Sequence, residues 1–149
     1  MRTGKSSPPD ESAPPPRSRR YDARVDRVQL LRDIWDARSV GDLEPLQGAL
    51  APDAKWRAVE DGPWNCESAA AIIDVFTRQL ADGLSGRIED AFEIGDRVVV
   101  GFRPDRPGPG AWPLDNGIRY LVVSLAGDRV TELRGCADRA AALAYAEGA

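Results

Sequence analysis

The side chains that could do chemistry in this chain are carboxylates and arginines, because it contains no histidine. Without an imidazole, Ser-His-Asp and Cys-His hydrolysis, His-ligated zinc and His-based proton shuttling are all excluded. The two cysteines, Cys66 and Cys136, are too few for a disulfide scaffold and lack the paired spacing of a zinc site. Neither a metal nor a cofactor is therefore expected. Cys66 falls near the start of a predicted helix, where exposed N–H groups can lower a thiol pKa, but the adjacent Glu67 opposes a thiolate. Two acids remain as candidate catalytic groups, Asp90 and Glu60, with Arg103 and Arg119 as the cations that could pair with them or hold a ligand.

Strand alternation says which of these groups share a face. If Gly95-Asp96 is a two-residue turn, Ile94 pairs with Arg97 and Phe92 with Val99, which sets Asp90 opposite Gly101 and Arg103 opposite Ile88. Asp90 would then lie between Ile88 and Phe92. On a concave face its carboxylate either pairs with Arg103 or has a raised pKa and serves as a general base. Glu60, on the face of Trp56, and Arg119, on the face of Leu121 and Val123, would complete a polar cluster of two acids and two arginines beneath Trp56. A solvated ion pair is the simpler reading of such groups, and Val98, Val100 and Phe102 on the opposite side could equally be the core. Trp35, Trp56, Phe76 and Leu121 are the apolar candidates for a ligand site. Trp64 and Trp112 read as loop anchors or as an aromatic lid over its mouth.

The elements that must position these residues follow from periodicity. From Ala23 to Ser39, Val28, Leu31 and Trp35, flanked by Leu30 and Ile34, make a broad helical stripe that Gly41 stops. Asp42 caps a short helix through Leu43 to Leu50, ended by Pro52. Asp53 to Glu60 reads as a strand. Asn65 is a plausible cap for a third helix carrying Ala69, Ile72, Ile73, Phe76 and Leu80, which Gly83 ends. Beyond it the period becomes two, over Arg87–Ile94, Arg97–Arg103, Gly117–Leu125 and Arg129–Cys136. Gly95-Asp96 and Gly127-Asp128 supply the hairpin turns. Pro104 to Asn116, with four prolines and two glycines, is a long connecting loop, and Asp138 caps a last helix, Arg139 to Glu147. The order predicts an α+β domain with helices packed on a curved, mostly antiparallel sheet.

The chain has 149 residues, enough for one domain with a single core. Residues 1–21 hold five prolines and almost no apolar side chain, so a disordered tail is expected there, with the domain spanning 22–149. The tail carries five basic and two acidic residues, leaving 15 basic against 22 acidic in the domain. An acidic domain argues against nucleic-acid binding, which needs clustered Lys and Arg. No apolar run reaches the roughly 20 residues of a membrane span and no secretory signal is evident, so a cytoplasmic protein without membrane contact is expected.

Several runs together resemble a known family. These are Val40-Gly41-Asp42-Leu43, Leu50-Ala51-Pro52-Asp53-Ala54-Lys55-Trp56, Ile72-Ile73-Asp74-Val75-Phe76, Gly95-Asp96-Arg97-Val98-Val99-Val100 and Asp128-Arg129-Val130-Thr131-Glu132-Leu133, closed by Asp138. Over about residues 23 to 147 they look like the SnoaL-like branch of the nuclear transport factor 2-like superfamily. The resemblance implies a cone, a bent sheet wrapped by three helices of the N-terminal half around a pocket, often a homodimer through the convex face. It does not carry an active site over. Alignment with ketosteroid isomerases puts Ala58, Ile34 and Leu121 where their Asp, Tyr and protonated Asp sit. The His-Trp-Asp run of SnoaL-type cyclases is replaced by Leu133, Arg134 and Gly135. Limonene-epoxide-hydrolase-like members need an Arg between two Asp; Arg103-Pro104-Asp105 is displaced, and Gly135 replaces the second Asp. The expected function is binding of a small, largely apolar organic molecule. The alternatives are a carboxylate-dependent isomerase, cyclase, dehydratase or epoxide hydrolase, and a non-catalytic dimerisation or partner-binding module.

Overall fold

The computed structural model describes residues 27–60, 65–105 and 114–148. The expected tail at 1–21 and the expected lid residues Trp64 and Trp112 lie outside the described residues. Helix α1 covers Arg27–Ser39 and turns Leu30, Ile34 and Arg38, each one turn apart, to the interior. Helix α2 is a short piece, Glu44–Ala49, with proline in its first turn. Asp42 precedes it as expected, its Oδ1 accepting the Glu44 N–H at 3.0 Å.

Strand β1 runs Leu50–Arg57, so Pro52 lies within the strand and does not mark the end of a helix. The strand tolerates it because β1 is the sheet edge and its register shifts between Leu50 and Lys55; there a missing N–H breaks no ladder bond. The strand also ends before Glu60. Beyond Arg57 the Ala58 N–H is taken by the Asn65 side chain at 2.8 Å, and Trp56 exchanges two backbone hydrogen bonds with Cys66, at 2.9 and 3.0 Å. Asn65 is thus a loop fastener and not the cap of the next helix. That cap is Ser68, whose hydroxyl accepts the Ala71 N–H at the start of α3, Ala69–Ala81.

The second half is a meander of β2 (Gly86–Ile94), β3 (Arg97–Pro104), β4 (Arg119–Ala126) and β5 (Arg129–Cys136), followed by helix α4 (Arg139–Ala146). Gly95 and Gly127 supply the positive φ of both hairpin turns, at 62° and 65°. The sheet order is β1-β5-β4-β3-β2, with β1 parallel to β5 and all other pairs antiparallel. It is therefore an open, mixed five-stranded sheet, and the expected α+β architecture is borne out.

Both faces of the sheet are covered, which decides where the core sits. On one face Val98, Val100, Val123 and Leu133 pack with Leu30 and Ile34 of α1 and Ile72 of α3. On the other, Val99, Tyr120 and Val122 pack beneath Ala142 and Ala146 of α4. Asp138 caps α4 as expected, accepting the Ala141 N–H at 2.8 Å. Tyr145 of α4 lies between the guanidinium groups of Arg97 and Arg134, 4.6 and 4.4 Å from its ring, and donates its hydroxyl proton to Glu132. The sheet face opposite α1 and α3 is thus partly covered by α4.

Candidate functional site

Between α1, α3 and the inner face of the sheet lies a cavity of about 130 Å³. Its aromatic walls come from different elements. Trp35 of α1 meets Phe102 of β3 edge-on at 4.6 Å, and Trp56 of β1 meets Phe76 of α3 edge-on at 5.8 Å. The Trp35 indole is oriented by its Nε1–H, which donates to the Gly86 carbonyl at 3.2 Å. Val100, Leu121, Val123 and Leu133 form the floor. The polar groups reaching this space from the described residues are the side chains of Arg38, Gln79, Ser85 and Arg119.

Five of the expected ligand residues, Trp35, Trp56, Phe76, Arg119 and Leu121, line the cavity together. Among the described residues, Arg103, Asp90 and Glu60 do not join them. Asp90 and Arg103 fall on the opposite side because they share the face of Val99 and Gly101, whereas the cavity lies on the face of Val98, Val100 and Phe102. Asp90 does pair with Gly101, but one extra residue sits between Ile88 and Asp90, so Ile88 pairs with Phe102 and Arg103 with Arg87. The insertion turns Ile88 into the cavity and leaves Asp90 outside it. There the Asp90 carboxylate meets Arg139 of α4 at 3.1 Å. Arg103 pairs with Glu89 at 2.8 Å, and this contact with the guanidinium holds the Glu89 carboxyl below the usual carboxylate range. Glu60 is exposed beyond the end of β1 and does not line the cavity. The expected cluster of two acids and two arginines beneath Trp56 is therefore not formed. Among the described residues the lining contains no carboxylate, tyrosine or thiol.

Arg38 and Phe102 are among the lining residues that sequence reasoning did not place in the site. Both had a signal. Phe102 continues the alternation of Val98 and Val100, and Arg38 continues the Leu30–Ile34 stripe by one further turn. Arg38 is only 3% exposed and is the one buried charged side chain among the described residues. Its guanidinium lies 4.4 Å from the Trp35 ring and 5.7 Å from that of Phe76. One nitrogen, Nη2, donates to the Leu84 carbonyl at 3.2 Å and to Gln79 Oε1 at 3.4 Å. Burial pushes the pKa values of both Arg38 and Arg119 down from the ordinary arginine value.

Cys66 and Cys136 are both buried, and burial pushes both thiols above their ordinary pKa. Cys66 lies in the Trp56 bridge ahead of the Ser68 cap, in the core and not at the first turn of α3. Because only thiolate is nucleophilic, neither cysteine is expected to react with iodoacetamide at pH 8 in the folded protein, whereas both react in denaturant. Mass spectrometry of the alkylated protein checks this; rapid native modification of Cys66 would show it to be an activated thiol.

No family model matches the sequence, and no curated protein matches it. Solved structures do. A Sinorhizobium meliloti protein assigned as a polyketide cyclase superposes with a TM-score of 0.59 at 18% identity, over 72% of this chain and 93% of that one. A Cytophaga hutchinsonii NTF2-like protein of unknown function gives 0.57 at 12%, over 73% and 87%. An LEH-like epoxide hydrolase from M. tuberculosis gives 0.57 at 14%, over 80% and 87%. The described architecture is the nuclear transport factor 2-like fold. Its cyclase and epoxide-hydrolase-like neighbours fit the SnoaL-like resemblance of the sequence. Identities this low establish the fold, and fold alone does not assign an activity.

Proposed function

We propose that the protein binds a small, largely apolar organic molecule in the cavity between α1, α3 and the sheet. The observation that carries this reading is a cavity of about 130 Å³ whose walls are aromatic and aliphatic and whose few polar groups converge from α1, α3 and β4. Ligand sites have this composition, apolar walls with a small number of placed polar groups. An engineered apolar cavity of about 150 Å³ accommodates benzene, so the space suits one ring. The polyketide cyclase and epoxide hydrolase assignments of two structural neighbours support an organic ligand of this kind. Binding is preferred over acid–base catalysis because no described carboxylate reaches the cavity.

Trp35 and Trp56 line the site, so single-ring molecules such as toluene, cyclohexanone and indole are expected to change the tryptophan emission saturably. At a hundredfold excess over Kd such a ligand stabilises the fold by about 2.7 kcal/mol, which a thermal melt reads directly. Leu121→Trp, which places a larger side chain in the floor, is expected to abolish both effects while the protein stays folded. Saturation by none of these molecules, or saturation unchanged in Leu121→Trp, overturns the proposal.

A further inference from the structure

The cavity contains a feature that a site for a neutral hydrocarbon does not need. Arg38 is buried to 3% exposure, yet its Nε and Nη1 have no hydrogen-bond partner. Only Nη2 is engaged, by the Leu84 carbonyl and the Gln79 amide oxygen. Both acceptors are neutral, and the seven ion pairs among the described residues do not include Arg38. A buried cation without an anion is unfavourable, and natural proteins keep such groups paired or bound to something. The unpartnered Nε and Nη1 are donors on different sides of one planar guanidinium, and a charge-assisted hydrogen bond from such a donor to a carboxylate oxygen is stronger than one to a neutral acceptor. Arg119 adds a second cation to the same lining, at the start of β4.

The packing around Arg38 fixes what the rest of the ligand can be. Its guanidinium is stacked on Trp35 and close to Phe76, both of which line the cavity. The rings hold the guanidinium plane, so little conformational freedom is lost when an anion docks. Every other wall is apolar apart from Gln79, Ser85 and Arg119. A phosphorylated or multiply charged ligand would leave charge against aliphatic floor, whereas one carboxylate on one ring matches the donors and the walls together.

We infer that the cavity is a site for a small organic monoanion, a single-ring carboxylate that accepts from an unpartnered nitrogen of Arg38 while the ring packs against Trp35, Phe76 and Leu121. This rests on the cavity being a ligand site and adds the charge and the headgroup of the ligand. In the apolar surroundings the ion pair is stronger than in water, because the local dielectric is low. Arg38 is then the specificity-determining residue.

Calorimetric titration of the full chain with benzoate and cyclohexanecarboxylate, each against its own carboxamide, tests this. The acids are expected to bind at least tenfold more tightly than the amides, and Arg38→Gln to bring the ratio of acid to amide affinity close to one. Arg38→Lys, which keeps the charge and loses the planar set of donors, is expected to fall between the two. Equal affinity of acid and amide for the native protein overturns the anion inference and leaves the apolar pocket standing. An acid preference that survives in folded Arg38→Gln overturns the role of Arg38. If neither acids, amides nor the neutral rings above bind, both readings fall. Should Arg38→Gln not fold, as judged by circular dichroism, the acid-to-amide ratio of the native protein decides the matter.

Discussion

Trp56→Ala is expected to lower the free energy of unfolding by about 3–5 kcal/mol, the usual cost of truncating a buried tryptophan. Trp56 is 8% exposed and belongs to the core shared by β1, α3 and the sheet floor. Its backbone is held from two sides, by the Cys66 hydrogen bonds at 2.9 and 3.0 Å and by parallel pairing with Leu133 of β5. The strand therefore cannot move in to fill the space the indole leaves, and Phe76 loses its edge-on partner. A cavity that cannot collapse sits at the costly end of the range. Against a typical total of about 5–15 kcal/mol, the urea midpoint drops by a fifth or more with the slope unchanged. The same truncation enlarges the ligand site, so added indole is expected to return part of the lost stability. A loss below about 1 kcal/mol would show that Trp56 is not a structural wall.

The second large effect is expected from Gly86→Ala, at about 3 kcal/mol, the upper end of overpacking costs. A Cβ at this position would lie 2.3 Å from the Arg103 carbonyl oxygen and 2.4 Å from Cζ of Phe102. The Phe102 ring can turn away, but the carbonyl belongs to the backbone of the paired strand and cannot move without opening the β2–β3 ladder. Gly86 also receives the Trp35 indole N–H, and Phe102 packs edge-on against that indole. One added methyl group therefore disturbs two cavity walls, and ligand binding is expected to fall together with stability. Gly48→Ala is the control: it lies in α2 with nothing within 4 Å of the added carbon, and is expected to raise stability by roughly 0.5–1 kcal/mol. Parallel urea titrations of the two variants read the contrast, and a harmless Gly86→Ala would mean that β2 and β3 are spaced differently there.

The local elements were legible in the sequence because their signals are local. Helical spacing marked α1 and α3, a period of two marked the meander, and Gly95 and Gly127 marked both hairpins, since positive φ is a property of the single residue. Counting outward from Gly95 gave correct pairs for Arg97, Val99 and Gly101, and failed at Arg103, beyond the bulge. Nothing in the residue types of Ile88-Glu89-Asp90 announces an inserted residue, and one insertion exchanges the faces of everything past it. Caps show the same limit. Asn65 and Ser68 both suit a helix start, and only the position of the β1 end, with its waiting Ala58 N–H, separates their roles.

By itself the sequence determined the kinds of elements, their order and the absence of imidazole chemistry. Only the tertiary structure decided which sheet face surrounds the cavity. With α1 and α3 on one side and α4 on the other, both faces are buried, so Val98, Val99 and Val100 are all interior and alternation loses its power to tell inside from outside. Arg38 shows the same dependence from the other direction. Its place on the Leu30–Ile34 stripe is local and readable, but whether a charge at that position snorkels to water or closes into a cavity depends on Trp35, Phe76 and Leu84 arriving around it. Trp35 stands one turn back on the same helix, whereas Phe76 and Leu84 come from α3 and the turn after it, and the fold alone brings those two to Arg38.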